Sequence, residues 1–247
     1  MASAGAAQAL PIDPVAPVRS FEVVAEYPHD PTAFTQGLIL VDGQLYEGTG
    51  LNGMSQLRLV DLETGEVIES RQLDSEYFGE GITVLGDKVY QITWKTQTAF
   101  VYDRETFEQI GSFTYDTDGW GITHDGESLI MSDGSDQLFF RDPETFEVTN
   151  QITVRDGDNA IVHLNELEYI DGVIWANVWQ TNFIARIDPE TGRVIDWLDL
   201  TSLAEQMKAT GQQIDVLNGI AWNPETGTAY VTGKWWPTLF EIELTSE

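Results

Sequence analysis

Short apolar runs, each closed by Asp, Asn, Gly or Pro, follow one another from residue 20 to residue 244. Two patterns recur within them. Gln36-Gly-Leu-Ile, Glu80-Gly-Ile-Thr, Trp120-Gly-Ile-Thr, Glu166-Leu-Glu-Tyr and Asn218-Gly-Ile-Ala each open a unit. Each is followed by a turn (Asp42-Gly43, Gly86-Asp87, Asp125-Gly126, Asp171-Gly172, Pro224–Gly227) and a second apolar run. Later in the first four units comes Asp61-Leu-Glu-Thr-Gly65, Asp103-Arg-Glu-Thr-Phe107, Asp142-Pro-Glu-Thr-Phe146 or Asp188-Pro-Glu-Thr-Gly192. These are turn residues with a mechanism: Asp caps through its side chain, Pro sets φ, and Gly tolerates φ > 0. A period of roughly 40–50 residues with four short strands per unit is the signature of a β-propeller blade.

Five units cover residues 34 to 244, so the pattern predicts an all-β, five-bladed propeller. The fifth unit supplies three strands, at 218–222, 228–232 and 238–244, and the run Ser20–Tyr27 is available as the fourth. An N-terminal strand in the last blade would close the ring and remove an exposed edge. Residues 20–247 therefore read as a single domain. Only Leu203–Gly211 reads as helical, in an insertion before the fifth blade. With its blades closed, the chain is expected to be a monomer.

Composition narrows the function. Among 247 residues, 12 basic side chains face 41 acidic ones, a formal net charge of −29. Such a surface repels nucleic-acid phosphates. Its acids are interspersed with apolar residues, which suits a solvated surface in a salt-tolerant source. No apolar stretch is long enough to span a membrane. With 42% apolar residues, 8 Trp, 8 Tyr and 11 Phe, there is material for a core, which disordered acidic chains lack. The absence of cysteine excludes disulfides, thiolate metal sites and thiol catalysis. His29, His124 and His163 are far apart, a poor basis for a metal site, and the first two read as turn residues. Asp133-Gly-Ser-Asp136 lacks the further ligands of a Ca²⁺ loop. Residues 1–19 have neither a basic start nor a long apolar run. They read as an extended leader, or as the remnant of a removed signal, with the periplasm or the exterior as the expected location.

Equivalent positions in radial repeats face the same axis. Gln36, Glu80, Trp120, Asn165-Glu166 and Asn218 should therefore ring one mouth of the central channel. Aligning the ends of the second strands brings Gly50, Trp94, Gly134, Trp179 and Lys234 into register at the same face. The two registers predict an aromatic cup (Trp94, Trp120, Trp179, Trp235) around Gln36, Glu80, Asn165 and Lys234, the usual make-up of a small-ligand site. Taken alone, the repeated rings could equally be interblade core, and Glu80 an ordinary acid at the channel mouth. A non-catalytic peptide-binding propeller fits the same pattern. A metal-dependent lactonase would want several channel carboxylates, whereas this ring holds mostly amides with a lysine beside them.

The runs Tyr27-Pro-His-Asp-Pro-Thr-Ala-Phe-Thr-Gln-Gly-Leu38, Tyr77-Phe-Gly-Glu-Gly-Ile82, Asp118-Gly-Trp-Gly-Ile122, Leu164-Asn-Glu-Leu-Glu168 and Thr232-Gly-Lys-Trp-Trp236 resemble the plant- and bacterial-type glutaminyl cyclases. The resemblance covers residues 20–244. It implies a five-bladed propeller that converts N-terminal glutamine of peptides or proteins to pyroglutamate and releases ammonia, with no metal or cofactor. By the same resemblance Glu80 is the general base and acid, and Asn165 and Lys234 meet the γ-carbonyl. Gln36 contacts the substrate amine or backbone, and Phe34, Phe78, Trp94, Trp120, Trp179 and Trp235 form the wall.

Overall fold

The repeated turns fix where each blade's third strand ends. Asp61 Oδ1 accepts hydrogen bonds from the Thr64 N–H and hydroxyl at 2.9 and 2.8 Å, and Asp103 and Asp142 repeat the arrangement with Thr106 and Thr145. The residue closing each turn is left-handed: Gly65 at φ +71°, Phe107 at +55°, Phe146 at +62° and Gly192 at +70°. Phe107 and Phe146 bury their rings between blades, which offsets the cost of that conformation.

The computed structural model describes residues 12–245. Residues 1–11, the larger part of the expected leader, lie outside the described residues. From the axis outward, blade one runs Thr35–Val41, Gln44–Thr49, Gln56–Val60 and Val67–Gln72. Blade two runs Gly79–Leu85, Lys88–Thr93, Thr98–Asp103 and Gln109–Thr114, and blade three Ile122–His124, Leu129–Ser132, Gln137–Arg141 and Val148–Thr153. Blade four is Leu164–Ile170, Val173–Val178, Phe183–Ile187 and Val194–Asp199. Blade five is Leu217–Asn223, Thr228–Gly233 and Thr238–Leu244, with the N-terminal Phe21–Pro28 antiparallel on its outside from Phe21↔Leu244 to Pro28↔Thr238. This is the ring closure that the strand count requires.

Inner strands are buried and outer strands mostly exposed, because blades pack face to face around the axis. Crowding is greatest at the axis. A Cβ on Gly81 would stand 2.7 Å from the Ile122 nitrogen of the next blade, so the third residue of this inner strand has to be glycine. The N-terminal strand covers the free edge of Thr238–Leu244 in blade five, but most blades still end in an uncovered outer strand. The outer strands of blades one, two, three and five remain sheet edges, where polar residues such as Glu69, Arg71 and Gln109 stand beside the exposed Ile68, Ile110 and Val148.

Two features were not legible as repeats. Val18–Arg19 pairs in parallel with Trp197 and Leu198 on the outside of blade four. It is anchored by the buried Asp156, whose carboxylate accepts from the Val15 and Ala16 N–H groups and from Trp197 Nε1. The helix lies at Thr201–Ala209, two residues before its expected place, and buries Leu203, Ala204 and Met207 against Leu217 and Trp236.

Candidate active site

Four of the five inner strands carry a β-bulge at the ring position: between Thr35 and Gly37, Gly79 and Ile82, Leu164 and Leu167, and Leu217 and Ile220. A bulge re-aims the side chain it carries. Here it marks Gln36, Glu80, Asn165 and Asn218. Their backbones are tied from blade to blade. Gly81 N–H donates to the Trp120 carbonyl at 2.9 Å, and the Ser132 hydroxyl donates to the Asn165 carbonyl at 2.7 Å while accepting from Gly121 N–H. The Asn218 amide donates to the Thr35 carbonyl and to Gln36 Oε1, at 3.0 and 3.3 Å, and so orients the Gln36 side chain.

A cavity of about 230 Å³ opens above this ring, lined by Phe34, Gln36, Phe78, Glu80, Trp94, Trp120, Asn165, Trp179, Asp215 and Lys234. Nine of the ten residues singled out in the sequence thus share one cavity. The tenth, Trp235, stands behind the wall with its ring 5.0 Å from that of Phe34, edge to face. Asp215 is the lining residue that repeat logic missed. It comes from the irregular segment after the helix, where Asp215 N–H donates to the Lys234 carbonyl and Lys234 N–H to that of Val216.

The second-strand register explains the alternation of glycine and aromatic residues. A Cβ on Gly50 would stand 2.6 Å from the Phe78 ring, and one on Gly134 2.6 Å from Trp120. Blades one and three therefore give room to rings, whereas Trp94 and Trp179 of blades two and four supply them. Phe34, Phe78 and Trp94 meet edge to face at 6.1 and 5.7 Å, and Trp120 meets Trp179 at 5.4 Å. These indoles are only part-buried, whereas Trp175, Trp197 and Trp236 are fully buried core.

Two carboxylates, Glu80 and Asp215, and the Lys234 ammonium are the charged groups lining the cavity. Burial pushes the Glu80 carboxyl well above the ordinary range, with the Lys234 charge opposing the shift and Asp118 adding to it. Burial pulls the Lys234 ammonium down, against Glu80 and Asp215. The Lys234 Nζ lies 4.7 Å from the Phe34 ring centroid, a cation–π contact inside the cavity. Asn165 Oδ1 and Trp120 Nε1 are buried without a partner. Among the described residues, no group of three or more His, Asp or Glu is disposed to hold a metal ion. Asp133 instead caps its own turn through Ser135.

This arrangement has counterparts. The glutamine cyclotransferase family matches residues 1–244. A glutaminyl-peptide cyclotransferase of Arabidopsis thaliana is 46% identical over 230 residues, covering 92% of this chain and 72% of the relative. The crystal structure of Myxococcus xanthus glutaminyl cyclase superposes with a TM-score of 0.86 at 33% identity, over 93% of this chain and 100% of that one. With the propeller and its five-blade register already in place, these matches make the chain a member of the glutamine cyclotransferase family.

Proposed function

We propose that the cavity cyclises the N-terminal glutamine of peptides or proteins, with Glu80 carrying the proton and no metal taking part. The enzyme class, glutaminyl-peptide cyclotransferase, follows from the family. The mechanism rests on one observation: Glu80, Asn165 and Lys234, from blades two, four and five, line a single aromatic-walled cavity.

The reaction needs the α-amine as its free base, folded back onto its own γ-carboxamide. Half-buried rings on several sides favour that compact conformer, and positioning of this kind accounts for much of an intramolecular rate. The α-nitrogen attacks the γ-carbonyl carbon, a C–N bond forms, and the carbonyl oxygen becomes an oxyanion. Lys234 and the Asn165 amide are suited to stabilise that charge in a site shielded from water. Glu80 takes the proton that the attacking nitrogen loses and gives it to the departing NH₂, which leaves as ammonia. A carboxyl raised by burial is fitted to both roles, since its affinity for the proton approaches that of the amine. The unpartnered Trp120 Nε1 and Asn165 Oδ1 are groups that a substrate amide could satisfy.

Metal independence is part of the proposal. It is supported by the residues lining the cavity, whose two carboxylates, Glu80 and Asp215, are accompanied by an ammonium. The test is ammonia release and pyroglutamate formation from a Gln-initiated peptide, with and without a chelator, beside Glu80→Gln. Unchanged turnover in chelator and a near-inactive variant are expected. A wild-type protein that releases no ammonia, or a variant as active as wild type, would refute the assignment.

A further inference from the structure

The ring closes where blade five meets blade one. There the segment carrying Phe34 and Gln36 faces the segment carrying Lys234 and Trp235, and the Trp235 N–H donates to the Ala33 carbonyl at 2.7 Å. Beneath this seam lies His29. Its place in Pro28-His29-Asp30-Pro31 reads as a surface turn, yet it is only 6% exposed. Its N–H donates to the Pro237 carbonyl at 3.0 Å. On the ring, Nδ1 lies 2.6 Å from the Trp236 carbonyl oxygen and 3.5 Å from Thr232 Oγ1, and Nε2 lies 3.0 Å from Glu47 Oε1. The Thr232 hydroxyl donates to the Thr238 carbonyl, so its oxygen faces Nδ1 as an acceptor. Glu47 Oε1 also accepts from the Thr35 hydroxyl at 2.8 Å. Its Oε2 stands 3.6 Å from Arg58, which pairs at 2.8 Å with Asp30.

These partners constrain the proton count. A main-chain carbonyl only accepts, and so does an ionised carboxylate, whereas a neutral imidazole has one N–H. A neutral ring would set a lone pair against an acceptor at one of its two short contacts. An imidazolium satisfies both.

We propose that His29 is a positioning residue: as a buried imidazolium bridging the Trp236 carbonyl and the Glu47 carboxylate, it holds the Lys234–Trp235 and Phe34–Gln36 halves of the active site in register. It does not line the cavity. It acts through chain neighbours of the site, with Thr35 preceding Gln36 and Trp236 following Trp235. The inference rests on the cyclase reading for its consequence and on geometry alone for the proton count.

The charges around the ring agree. Burial by itself would lower the His29 pKa, but Glu47, the Trp236 carbonyl and Asp30 together raise it above the ordinary 6.5. Burial would raise that of Glu47, but His29, Arg58 and Thr35 bring it below its ordinary 4.5. The His29 contribution is complete below pH 6.5 and is lost as pH rises through its raised value. The Glu47 contribution is complete above pH 4.5 and is lost only as pH falls through its lowered value. The bridge therefore holds between these two limits and opens as pH rises through the raised His29 value.

Two measurements test this. Nitrogen NMR of His29 in the wild-type protein should show hydrogen on both ring nitrogens at neutral pH and titration above 6.5; one bare nitrogen at neutral pH overturns the proposal. In Glu47→Gln and His29→Gln, turnover per folded molecule should fall about ten-fold. The alkaline limb of the Glu47→Gln profile should also move to lower pH. Variants that lose melting temperature but keep kcat, KM and both pH limbs would assign the network to stability alone and overturn the proposal. Variants that do not fold leave the decision to the NMR arm. A wild-type protein without cyclase activity would refute the function and not the protonation of His29, so the two failures are distinguishable.

Discussion

The ammonium of Lys234 rests 4.7 Å from the centre of the Phe34 ring, inside the same cavity as the Glu80 carboxyl. Each of the two opposes the burial shift of the other. An oxyanion arriving between Lys234 and Asn165 would meet an ammonium that already lies in the cavity, which is what electrostatic preorganisation requires.

Lys234→Met keeps much of the stem and removes the charge. Loss of one preorganised oxyanion donor typically costs roughly 10²–10³ in kcat, with KM little changed. The variant should show a second effect. Lys234 holds the Glu80 pKa down, so its removal lets that pKa rise further, and the acidic limb of the pH–rate profile moves to higher pH. Steady-state kinetics across pH would check both, and an unmoved acidic limb would argue against Glu80 as the group titrating there.

Glu80→Gln should divide activity from stability. Loss of the proton carrier is expected to lower kcat by roughly 10²–10⁴. Stability should move the other way. Because the folded carboxyl titrates well above its ordinary 4.5, the folded state loses stability as pH rises from 4.5 through the raised value. Glutamine at position 80 has no such loss. Thermal melts should find the variant more stable than wild type at pH 7 and equal to it near pH 4.

Much of this site was legible in the chain because a repeat carries position with it. Glu80, Asn165 and Lys234 lie in three blades, yet each occupies a register position that recurs, so their convergence could be read before any coordinates. What lies outside the register could not. Asp215 follows the helical insertion, which has no counterpart in other blades. The partners of His29 lie 18 and 207 positions away, and its local sequence speaks only of a turn. Val18–Arg19 is too short to show a period, and its partners Trp197 and Leu198 are set by packing across the fold. Trp235 lies one residue beyond the register position held by Lys234, and at φ +62° its backbone turns left-handed, with its ring against Phe34 and outside the cavity lining.

Below the cavity, Glu168 joins three blades: its carboxylate accepts from the Trp222 N–H at 3.1 Å and from the Thr123 hydroxyl at 3.4 Å. Burial pushes its pKa to about 8, against those two hydrogen bonds. Folded wild-type protein should therefore lose stability between pH 4.5 and pH 8 through this residue, by a difference on the order of 4 kcal/mol at the upper end. Glu168→Gln keeps an acceptor for Trp222 and cannot ionise. The Glu168 charge also pushes Glu166 upward, so its removal relieves a second buried acid. The melting temperature of the variant should exceed that of wild type by a margin that widens from pH 5 to pH 8. A constant margin would mean that Glu168 does not titrate in this window.

Gly134 offers a test of the wall that leaves the polar groups alone. It sits at φ +83°, and a Cβ there would stand 2.6 Å from Trp120 ring atoms. Alanine is strained in that backbone conformation and must push the indole off its seat, so Gly134→Ala should cost about 1–3 kcal/mol of stability. The displaced ring lines the cavity proposed to hold the glutamine side chain, and it also faces His163 and Trp179 at 6.5 and 5.4 Å. Binding of substrate and transition state should suffer together, so KM rises several-fold while kcat changes less. Gly126→Ala is the control: its φ is +97°, so it carries comparable backbone strain, but a Cβ there meets nothing within 4 Å. If both variants lose the same stability and only Gly134→Ala raises KM, the effect belongs to the Trp120 wall; an equal rise in the control would assign it to general loosening of the blade.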